Sequence, residues 1–389
     1  MTVAFPFIEV IIDTSGLAPV AERAPGVVAV VGESNVGTAA VNAVVEVDSS
    51  ADANAGFGTN TRLGQSLKLA LLQDPRPSKV YGVKANGSPP TANDYTAALT
   101  ALEAADDVTF VSLANEPVNL GANTSSTATA ALAPLKAHCE AMSADGQKRV
   151  GVAMVNPATK ATTDAATIVD RCANLKSSTS RMVMIAGRGA VVEGTTNPGD
   201  AATASMAAFA GYAPQVSVVL KKVRGLRMPV ETQFSPTEIR SLAGEEIIPI
   251  IDPALVPGES LHFAEGRAFT TDANLLYVDI VRVLDDIDFR LKAGLMGVIG
   301  DARITKAGLS GVKARTEGIL GPLQRAAVID GFEVTIPVLD ILFVPEAARS
   351  PADVNAIETA RANRQVDMVV SITYGPAVHH LLVTLAPKF

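Results

Sequence analysis

The sequence predicts a mixed fold, α/β plus α+β, in which a domain with a mostly parallel sheet and flanking helices comes first. Between Gly26 and Pro214, short Val-rich runs alternate with helical stretches, and strands that are apolar on both faces indicate parallel βαβ units. After Pro214 this alternation stops, which indicates an α+β arrangement with an antiparallel component. The chain has 389 residues, of which 48% are hydrophobic, so about two or three domains with a sizeable core are expected.

The first half alternates five predicted strands with five predicted helices. The strands are expected at residues 27–31, 79–83, 107–113, 149–155 and 181–186. The helices are expected at residues 62–73, 93–105, 128–142, 164–176 and 202–212. Right-handed crossovers between parallel strands place such helices on both faces of the sheet.

The second half predicts a different succession of elements. A Ser-capped helix and a strand are expected over 235–251, a hairpin turning at 264–266 is expected over 258–271, and a long helix over 274–298. The remaining elements are a helix at 316–330, a strand at 332–344, a helix at 352–363, and strands at 366–374 and 378–385. Apolar residues recur every three or four positions along the long helix, which predicts one buried face. That face consists of Leu276, Ile280, Val283, Leu284, Ile287 and Leu291.

Both chain ends have the pattern of apolar strands, over residues 4–13 and 377–389. Alternate positions share a face of a strand. In the N-terminal strand, one face carries Pro6, Ile8, Val10 and Ile12, and the other carries Phe5, Phe7, Glu9 and Ile11. In the C-terminal strand, one face carries Leu381, Val383 and Leu385. An uncovered apolar edge causes aggregation unless it has a designated partner. The residues alone leave two alternatives open, pairing within the chain or pairing with another chain, and favour the first.

Composition and charge exclude several classes of function. The net charge of −8 and the isoelectric point near 5.2 argue against a nucleic-acid partner, which requires a basic surface. Cys139 and Cys172 both fall in predicted helices, so no disulfide framework is expected. The first residues lack the basic and small-residue features of a signal peptide, and no apolar run reaches the roughly 20 residues that span a bilayer. We therefore expect synthesis in the cytosol and no membrane insertion.

No catalytic or cofactor motif is complete. The run GESNVGT at 32–38 has the glycine spacing of a phosphate loop but lacks its lysine, and GRGAVVEG at 187–194 lacks the third glycine of a dinucleotide loop. The acidic run DDID at 285–288 lacks a facing cluster for a metal, and Asp286 with Arg290 favours an ion-paired helix face. The four histidines form no recognised motif. The sequence predicts no enzyme, cofactor or metal, with an α/β enzyme of unrecognised site as a distant alternative.

The C-terminal half resembles the tail sheath proteins of contractile-tailed bacteriophages, which are related to sheaths of contractile injection systems and R-type bacteriocins. The resemblance rests on the order of SPTEIRSLAGEEIIPI (235–250), GRAFTT (266–271), YVDIVRVLDDIDFRLKAGL (277–295), RTEGILGPLQRAAVIDGF (315–332) and the closing helix and strands. A single arginine, Arg282, stands where many relatives carry two adjacent arginines.

The resemblance implies three regions: an N-terminal arm at 1–23, an outer α/β domain at 24–214 and an inner C-terminal domain at 215–389. It implies that the terminal strands leave the subunit and complete the inner sheet of neighbouring subunits, a form of β-augmentation. The exchange residues are Phe5, Phe7, Ile8, Val10, Ile12, Leu381, Val383 and Leu385. The helix at 352–363 is expected to face the tail tube through Asp353, Glu358, Arg361 and Arg364.

The function that the resemblance implies is structural. Copies of the chain form a helical sheath around the tail tube and contract to drive the tube through the host envelope for genome ejection. The implied partners are other copies of itself, the tail tube protein, and the baseplate and tail terminator proteins. The implied location is the virion tail, assembled in the bacterial cytoplasm. The alternatives are the sheath of a phage-derived injection system or bacteriocin, and a shell protein that forms closed particles.

Overall fold

The structure is a computed structural model that describes residues 26–158, 164–256, 258 and 260–379. The described residues form two compact units. The α/β unit contains residues 26–285 together with 376–379, and the α+β unit contains residues 286–375. No described helix is both long and apolar enough to cross a membrane.

The strands of the described residues are numbered in chain order. They are β1 (Val27–Glu33), β2 (Val44–Glu46), β3 (Lys79–Ala85), β4 (Phe110–Pro117), β5 (Val150–Val155), β6 (Met182–Ala186), β7 (Val191–Val192), β8 (Lys222–Val223), β9 (Leu226–Arg227), β10 (Ile247–Ile251), β11 (Leu261–Phe263), β12 (Gly331–Thr335) and β13 (Val369–Thr373).

The α-helices of the described residues are numbered in the same way. They are α1 (Ser50–Phe57), α2 (Arg62–Leu71), α3 (Ala92–Leu102), α4 (Ser125–Ala128), α5 (Ala133–Ala144), α6 (Ala165–Cys172), α7 (Ala201–Gly211), α8 (Pro236–Gly244), α9 (Val278–Leu295), α10 (Lys306–Arg325), α11 (Pro337–Phe343) and α12 (Pro351–Asn363).

The α/β unit is built on one large sheet. Within the described residues it has nine strands in the order β2-β3-β1-β4-β5-β6-β10-β11-β8. The strands from β3 to β10 are parallel, and both ends of the sheet are antiparallel. The five predicted strands of the first half are all present. The expectation of a mostly parallel sheet with flanking helices is confirmed.

Small and β-branched residues explain how this sheet is packed. The central strand β1 is buried from Val27 to Gly32, as expected for a strand covered on both faces. The Ala-rich helix α7 is buried from Ala201 to Ala210 and packs on β4, β5 and β1. Its short side chains let the helix lie close to the sheet, and a Cβ added at Gly26 would meet the carbonyl oxygen of Ala210 at 1.9 Å.

The compact α/β unit extends past the boundary that the sequence predicted at residue 214. Strand β10 pairs in parallel with β6, and β11 and β8 follow it as antiparallel neighbours. Residues as far as Asp285 belong to this unit. After Pro214 the chain therefore adds one more parallel strand, β10, and two antiparallel strands, β8 and β11, to the same sheet.

Two local predictions are wrong. The expected hairpin at 258–271 is absent, because β11 pairs with β10 and β8 of the large sheet, while Arg267 bridges to Tyr277. The expected strand at 332–344 ends at Thr335, and Pro337 opens α11 at its first turn. Short apolar runs do not distinguish a strand from a buried helix turn, and here Leu339 and Leu342 face a helical core.

Other expected elements are present with shifted limits. The helix predicted at 128–142 is divided into α4 and α5, and the one predicted at 274–298 is α9 followed by a 3₁₀ turn at Met296–Val298. On α9, Val283 and Ile287 are buried as predicted, whereas Leu284 is exposed. The N-terminal strand and residues 380–385 of the last predicted strand lie outside the described residues.

Candidate assembly surfaces

The α+β unit contains a two-stranded ribbon with open edges. Strands β12 and β13 pair antiparallel, from Gly331 opposite Thr373 to Thr335 opposite Val369. Among the described residues neither strand has a second strand neighbour. Each strand therefore presents one edge of backbone N–H and C=O groups on which a further strand can pair.

One face of this ribbon is apolar and the other is exposed. Cross-strand partners share a face, so Phe332, Val334, Val370 and Ile372 lie together. Val334 is buried, and α10 packs against β12. On the opposite face Glu333 and Ser371 are exposed, and Val369 is 55% exposed. An isolated two-stranded ribbon is at best marginally stable, so this ribbon depends on its helical support and gains from added strands.

A small core fixes α12 beside α11. The buried residues of this cluster are Leu309, Ile336, Leu339, Leu342 and Ile357. Ile357 and Ala360 form the buried stripe of α12, and most of its other residues are exposed. The helix therefore presents a polar face that is available to a partner.

The four predicted tube-facing residues have different local roles. Asp353 belongs to the capping box of α12, accepting the backbone N–H of Ser350 at 2.9 Å, and this hydrogen bond lowers the pKa of its carboxyl. The Nε of Arg361 donates to the carbonyl of Ile304 at 3.4 Å. Arg364 ends the helix in the left-handed conformation, with φ of 54°. Glu358 and Arg364 are exposed. Contact with a tube stays a prediction for all four.

The predicted strand-exchange residues lie outside the described residues. They are Phe5, Phe7, Ile8, Val10, Ile12, Leu381, Val383 and Leu385. Their pairing therefore stays a prediction, and the two open edges of the β12–β13 ribbon are the described part of the proposed contact.

The place where a doubly wound sheet usually binds a ligand carries an ion-pair network. The strand order reverses between β1 and β4, and the crevice at their carboxyl ends is the usual ligand site of such sheets. Here Arg62 lies 3.6 Å from Glu33 and 3.5 Å from Glu116, and the hydroxyl of Tyr95 donates to Glu116 at 3.1 Å. Burial raises the pKa of the Glu116 carboxyl. The adjoining cavity of about 700 Å³ is lined by Arg62, Asn115, Glu116 and Asn156, among others.

The loop after β1 does not have the geometry of a phosphate site. It leads to the antiparallel strand β2, whereas a phosphate loop opens a helix whose N-terminus faces the ligand. A Cβ added at Gly32 would lie 2.3 Å from the Cβ of Ala114, so this glycine allows β1 and β4 to approach. Among the described residues no group of three or more His, Cys, Asp or Glu side chains is arranged to hold a metal.

The acidic run on α9 is ion-paired, as the sequence favoured. Asp286 accepts from the Nε of Arg290 at 2.8 Å. Asp285 is buried and forms two hydrogen bonds with Arg181, at 2.7 and 3.0 Å, within the α/β unit. Arg282 is also buried; it donates to the carbonyl of Tyr212 at 2.5 Å and lies over the ring of Phe110. These charged groups stabilise the attachment of α9.

The fold is that of contractile sheath proteins. The sheath of an extracellular contractile injection system, the PVC sheath complex in the contracted state, matches with a TM-score of 0.71 and 12% identity over 100% of this chain and 99% of that chain. The helical sheath of the anti-feeding prophage, also contracted, matches with a TM-score of 0.66 and 12% identity over the whole of both chains. The sheath tail protein of Listeria innocua matches with a TM-score of 0.58 and 13% identity over 82% of this chain and 89% of that chain.

Comparison of sequences adds no further relative: no family model matches the chain, and no curated protein matches it. The resemblance that the sequence indicated is confirmed at the level of the fold, and it extends over nearly the entire chain. The similar structures are structural sheath proteins from injection systems and bacterial tail proteins.

Proposed function

We propose that this chain is the sheath subunit of a contractile tail, which polymerises into a helical tube and contracts. The observation that carries the proposal is the β12–β13 ribbon, whose two outer edges have no strand partner among the described residues, within a fold shared along its full length with contracted helical sheaths. Apolar alternation at both chain termini supplies strands of the kind that such edges bind.

Strand exchange links each subunit to its neighbours. The N-terminal strand, with Phe5, Phe7, Ile8, Val10 and Ile12, adds to the ribbon of one neighbour. The C-terminal strand, with Leu381, Val383 and Leu385, adds to the ribbon of another. Main-chain hydrogen bonds supply the affinity, and side chains at alternate positions select the register. This contact joins different surfaces of the two subunits, and such a contact generates an open helical array when its rotation does not close into a ring.

Contraction is a rearrangement of rigid units that the exchanged strands keep connected. The extended lattice is metastable, and a signal from the baseplate starts its conversion. New contacts between subunits supply the driving force, at roughly 25 cal/mol per Å² of apolar area before ordering costs are subtracted. This mechanism consumes no nucleotide. In agreement with it, Arg62 is paired to Glu33 and Glu116 in the crevice where the strand order reverses between β1 and β4. We propose no enzymatic activity and no cofactor.

We propose that residues 24–214 form the outer domain of the sheath and residues 215–389 its inner domain. Residues 1–23 form the arm, and residues of the 24–214 region make the late contacts of the contracted state. The inner surface presents α12, where the exposed Glu358 and Arg364, with Arg361 and Asp353, contact the tail tube protein. Such a polar surface is suited to a contact that must release.

The particle is a phage tail that ejects a genome through the host envelope, or a phage-derived injection system. The sheath acts with a tube, a baseplate and a tail terminator, in the virion tail after assembly in the bacterial cytoplasm. The sheath of an extracellular contractile injection system matches over 100% of this chain and the sheath tail protein of Listeria innocua over 82%, so the shared fold supports both candidates. Purified particles decide between the two, because a phage carries DNA in an attached head.

Deletion of residues 1–14 tests strand exchange. We expect a folded monomer that forms no tubes in negative-stain electron micrographs, whereas the full-length chain forms them. Circular dichroism and thermal melting establish that the deleted variant is folded. Normal tubes from this variant would refute the arm hypothesis, closed particles from the full-length chain would support a shell protein, and a dispersed monomer would reopen the enzyme alternative.

A further inference from the structure

The last four described residues differ in their exposure to solvent. Residues 376–379 belong to the α/β unit, whereas the preceding strand β13 belongs to the α+β unit. Pro376, Ala377 and Val378 are exposed, Val378 to 80%. The side chain of His379 is only 11% exposed. One residue of an otherwise exposed segment is therefore inserted into the protein.

Three segments of the α/β unit surround the imidazole of His379. Its Nε2 lies 2.9 Å from the hydroxyl of Ser217, in the loop before β8. Its Nδ1 lies 3.7 Å from a carboxylate oxygen of Glu265, in the turn after β11. The ring of Tyr277, which precedes α9, meets the imidazole edge-on at a centroid distance of 5.0 Å. We call Ser217, Glu265 and Tyr277 the His379 socket.

The socket is held in shape by contacts that do not involve His379. Glu265 is buried; it accepts the backbone N–H of Gly266 at 3.0 Å and lies 3.6 Å from the Nε of Arg267. Arg267 also lies over the ring of Tyr277, at 5.8 Å. The hydroxyl of Ser217 accepts the N–H of Val219 at 3.3 Å. Since these contacts fix the socket independently, it is preorganised to receive a single side chain.

Gly266 keeps the walls of the socket close together. A Cβ at this position would lie 3.2 Å from Val218 and 3.3 Å from Val219, the two residues that follow Ser217. The carbonyl of Gly266 also accepts the N–H of Val278, which fixes Tyr277 at the other wall. A side chain at 266 would press the Ser217 loop away from Glu265.

We propose that His379 anchors the root of the C-terminal segment to the α/β unit of its own chain, so that residues 380–389 always emerge from one fixed point. The consequence for assembly rests on the proposed strand exchange, whereas the anchor itself rests on the contacts above. A strand that starts from a fixed point reaches its acceptor at a higher effective concentration than one at the end of a free linker. His379 is thus a positioning residue for the exchanged strand.

Ser217, His379 and Glu265 do not form a nucleophilic triad. A serine–histidine–carboxylate sequence needs a carboxylate hydrogen-bonded to Nδ1, within about 3.2 Å. Here that separation is 3.7 Å, so the imidazole has no carboxylate hydrogen bond to orient it as a base for Ser217. We therefore assign the arrangement to anchoring, and a fluorophosphonate that labelled Ser217 would overturn this assignment.

A spin label at residue 378 tests the anchor directly. Cys139 and Cys172 are both buried, and burial raises the pKa of each thiol to about 12, so a single cysteine from Val378→Cys is labelled selectively. In the monomeric fraction of the full-length chain, we expect the electron paramagnetic resonance spectrum of an immobilised label. His379→Ala in this background is expected to abolish the immobilised component. The matched control, His380→Ala, is expected to retain it.

Two outcomes overturn the proposal. A label that is equally mobile with and without His379 shows that the histidine anchors nothing. A label that is immobilised only in tubes shows that the socket receives a neighbour's chain. Glu265→Gln and Gly266→Ala alter the His379 socket without changing the labelled segment. Both substitutions are expected to increase the mobility of the spin label at residue 378.

Tube yield from His379→Ala, measured by sedimentation, tests the role of the anchor in assembly. We expect a loss of tubes relative to His380→Ala at equal protein concentration, and equal yields would overturn that role. The spin-label experiment uses monomer alone, so it can succeed even if strand exchange is refuted by the deletion of residues 1–14. Failure of the anchor and failure of the proposed function are therefore distinguished.

Discussion

The α/β unit and the α+β unit solve the problem of sheet edges in opposite ways. In the α/β unit the large sheet ends at β2 and β8, short antiparallel strands of three and two residues that leave little edge exposed. In the α+β unit β12 and β13 are five residues each, and both have an open edge among the described residues. Among the described residues, the large sheet therefore ends in short strands, whereas the small sheet has two longer edges that can accept the strands proposed above.

Each unit has a buried apolar core of its own among the described residues. One continuous cluster of buried residues runs through the α/β unit and includes every strand of its parallel sheet. The described cluster beneath α11 and α12 has five buried members. A protein that assembles by adding strands to one unit needs the other unit to hold its shape during rearrangement. The proposed mechanism treats both units as rigid bodies and assigns the connecting role to the exchanged strands.

The largest expected effect breaks the α/β core. Phe209 on α7 is fully buried, with its ring centroid 4.6 Å from that of Phe263. Phe209→Ala is expected to cost about 3–5 kcal/mol in the free energy of unfolding, because it leaves a cavity. Phe343 on α11 is 54% exposed, and Phe343→Ala is expected to cost less than about 1 kcal/mol. Denaturant unfolding of the two variants measures both, and equal losses would contradict the difference in burial between these two side chains.

An effect of intermediate size is expected on the stability of the fold at acidic pH. His138 on α5 is held by burial and by the charge of Arg149, which together lower its pKa from 6.5 to about 4. Its Nε2 lies 2.9 Å from Nη1 of Arg149. The guanidinium of Arg149 also donates to the carbonyl of Leu102 through Nη1 and to the carbonyl of Ala105 through Nη2. The unfolded chain binds a proton near pH 6.5 and the folded chain only near pH 4. Stability therefore falls as the pH is lowered through this window, by about 3 kcal/mol at most.

The matched variant for this pH effect is His138→Gln, whose amide oxygen can accept from Arg149 but does not titrate. Melting temperatures of the wild type and this variant between pH 4 and 7 measure the difference. We expect the variant to lose less stability on acidification. Parallel curves would show that other groups cause the acid sensitivity.

The smallest effect on stability is expected at α12. Arg361→Glu with Arg364→Glu reverses two exposed charges, and exposed pairs contribute about 1 kcal/mol or less each. We expect an almost unchanged melting temperature and weaker binding to the tail tube protein, measured by co-sedimentation. Asp353→Asn is the structural comparison, since it removes the carboxylate that accepts the N–H of Ser350 in the capping box and is expected to lower the melting temperature. If charge reversal lowered the melting temperature as much as Asp353→Asn does, a merely structural helix would be indicated.

Long uninterrupted patterns were predictable from the sequence. The run Val27–Val31 and the four similar runs after it gave the parallel sheet, because residues covered on both faces are apolar throughout. Several short elements of the same unit escaped prediction, among them β2 and α1. Strand β2 is three residues long, and α1 carries no strong apolar stripe, although its capping box at Ser49 and Asp52 is a usable signal.

The contacts that define the candidate surfaces could not be predicted in the same way. Arg181 pairs with Asp285 across 104 positions, and Ser217 meets His379 across 162. Such pairs depend on how strands are ordered, and local spacing carries no information about that order. The strand at 366–374 was predictable from its apolar pattern. Its pairing with β12 was not, because the strand predicted at 332–344 is only five residues long and is followed by α11 from Pro337.

The most direct test of strand exchange is a cryo-electron microscopy map of the assembled tube in which the main chain can be traced. This account predicts that residues from two neighbouring copies lie beside the outer edges of β12 and β13, one from an N-terminal segment and one from a C-terminal segment. A map in which both terminal segments pair only within their own subunit, and the ribbon edges stay free, would contradict it.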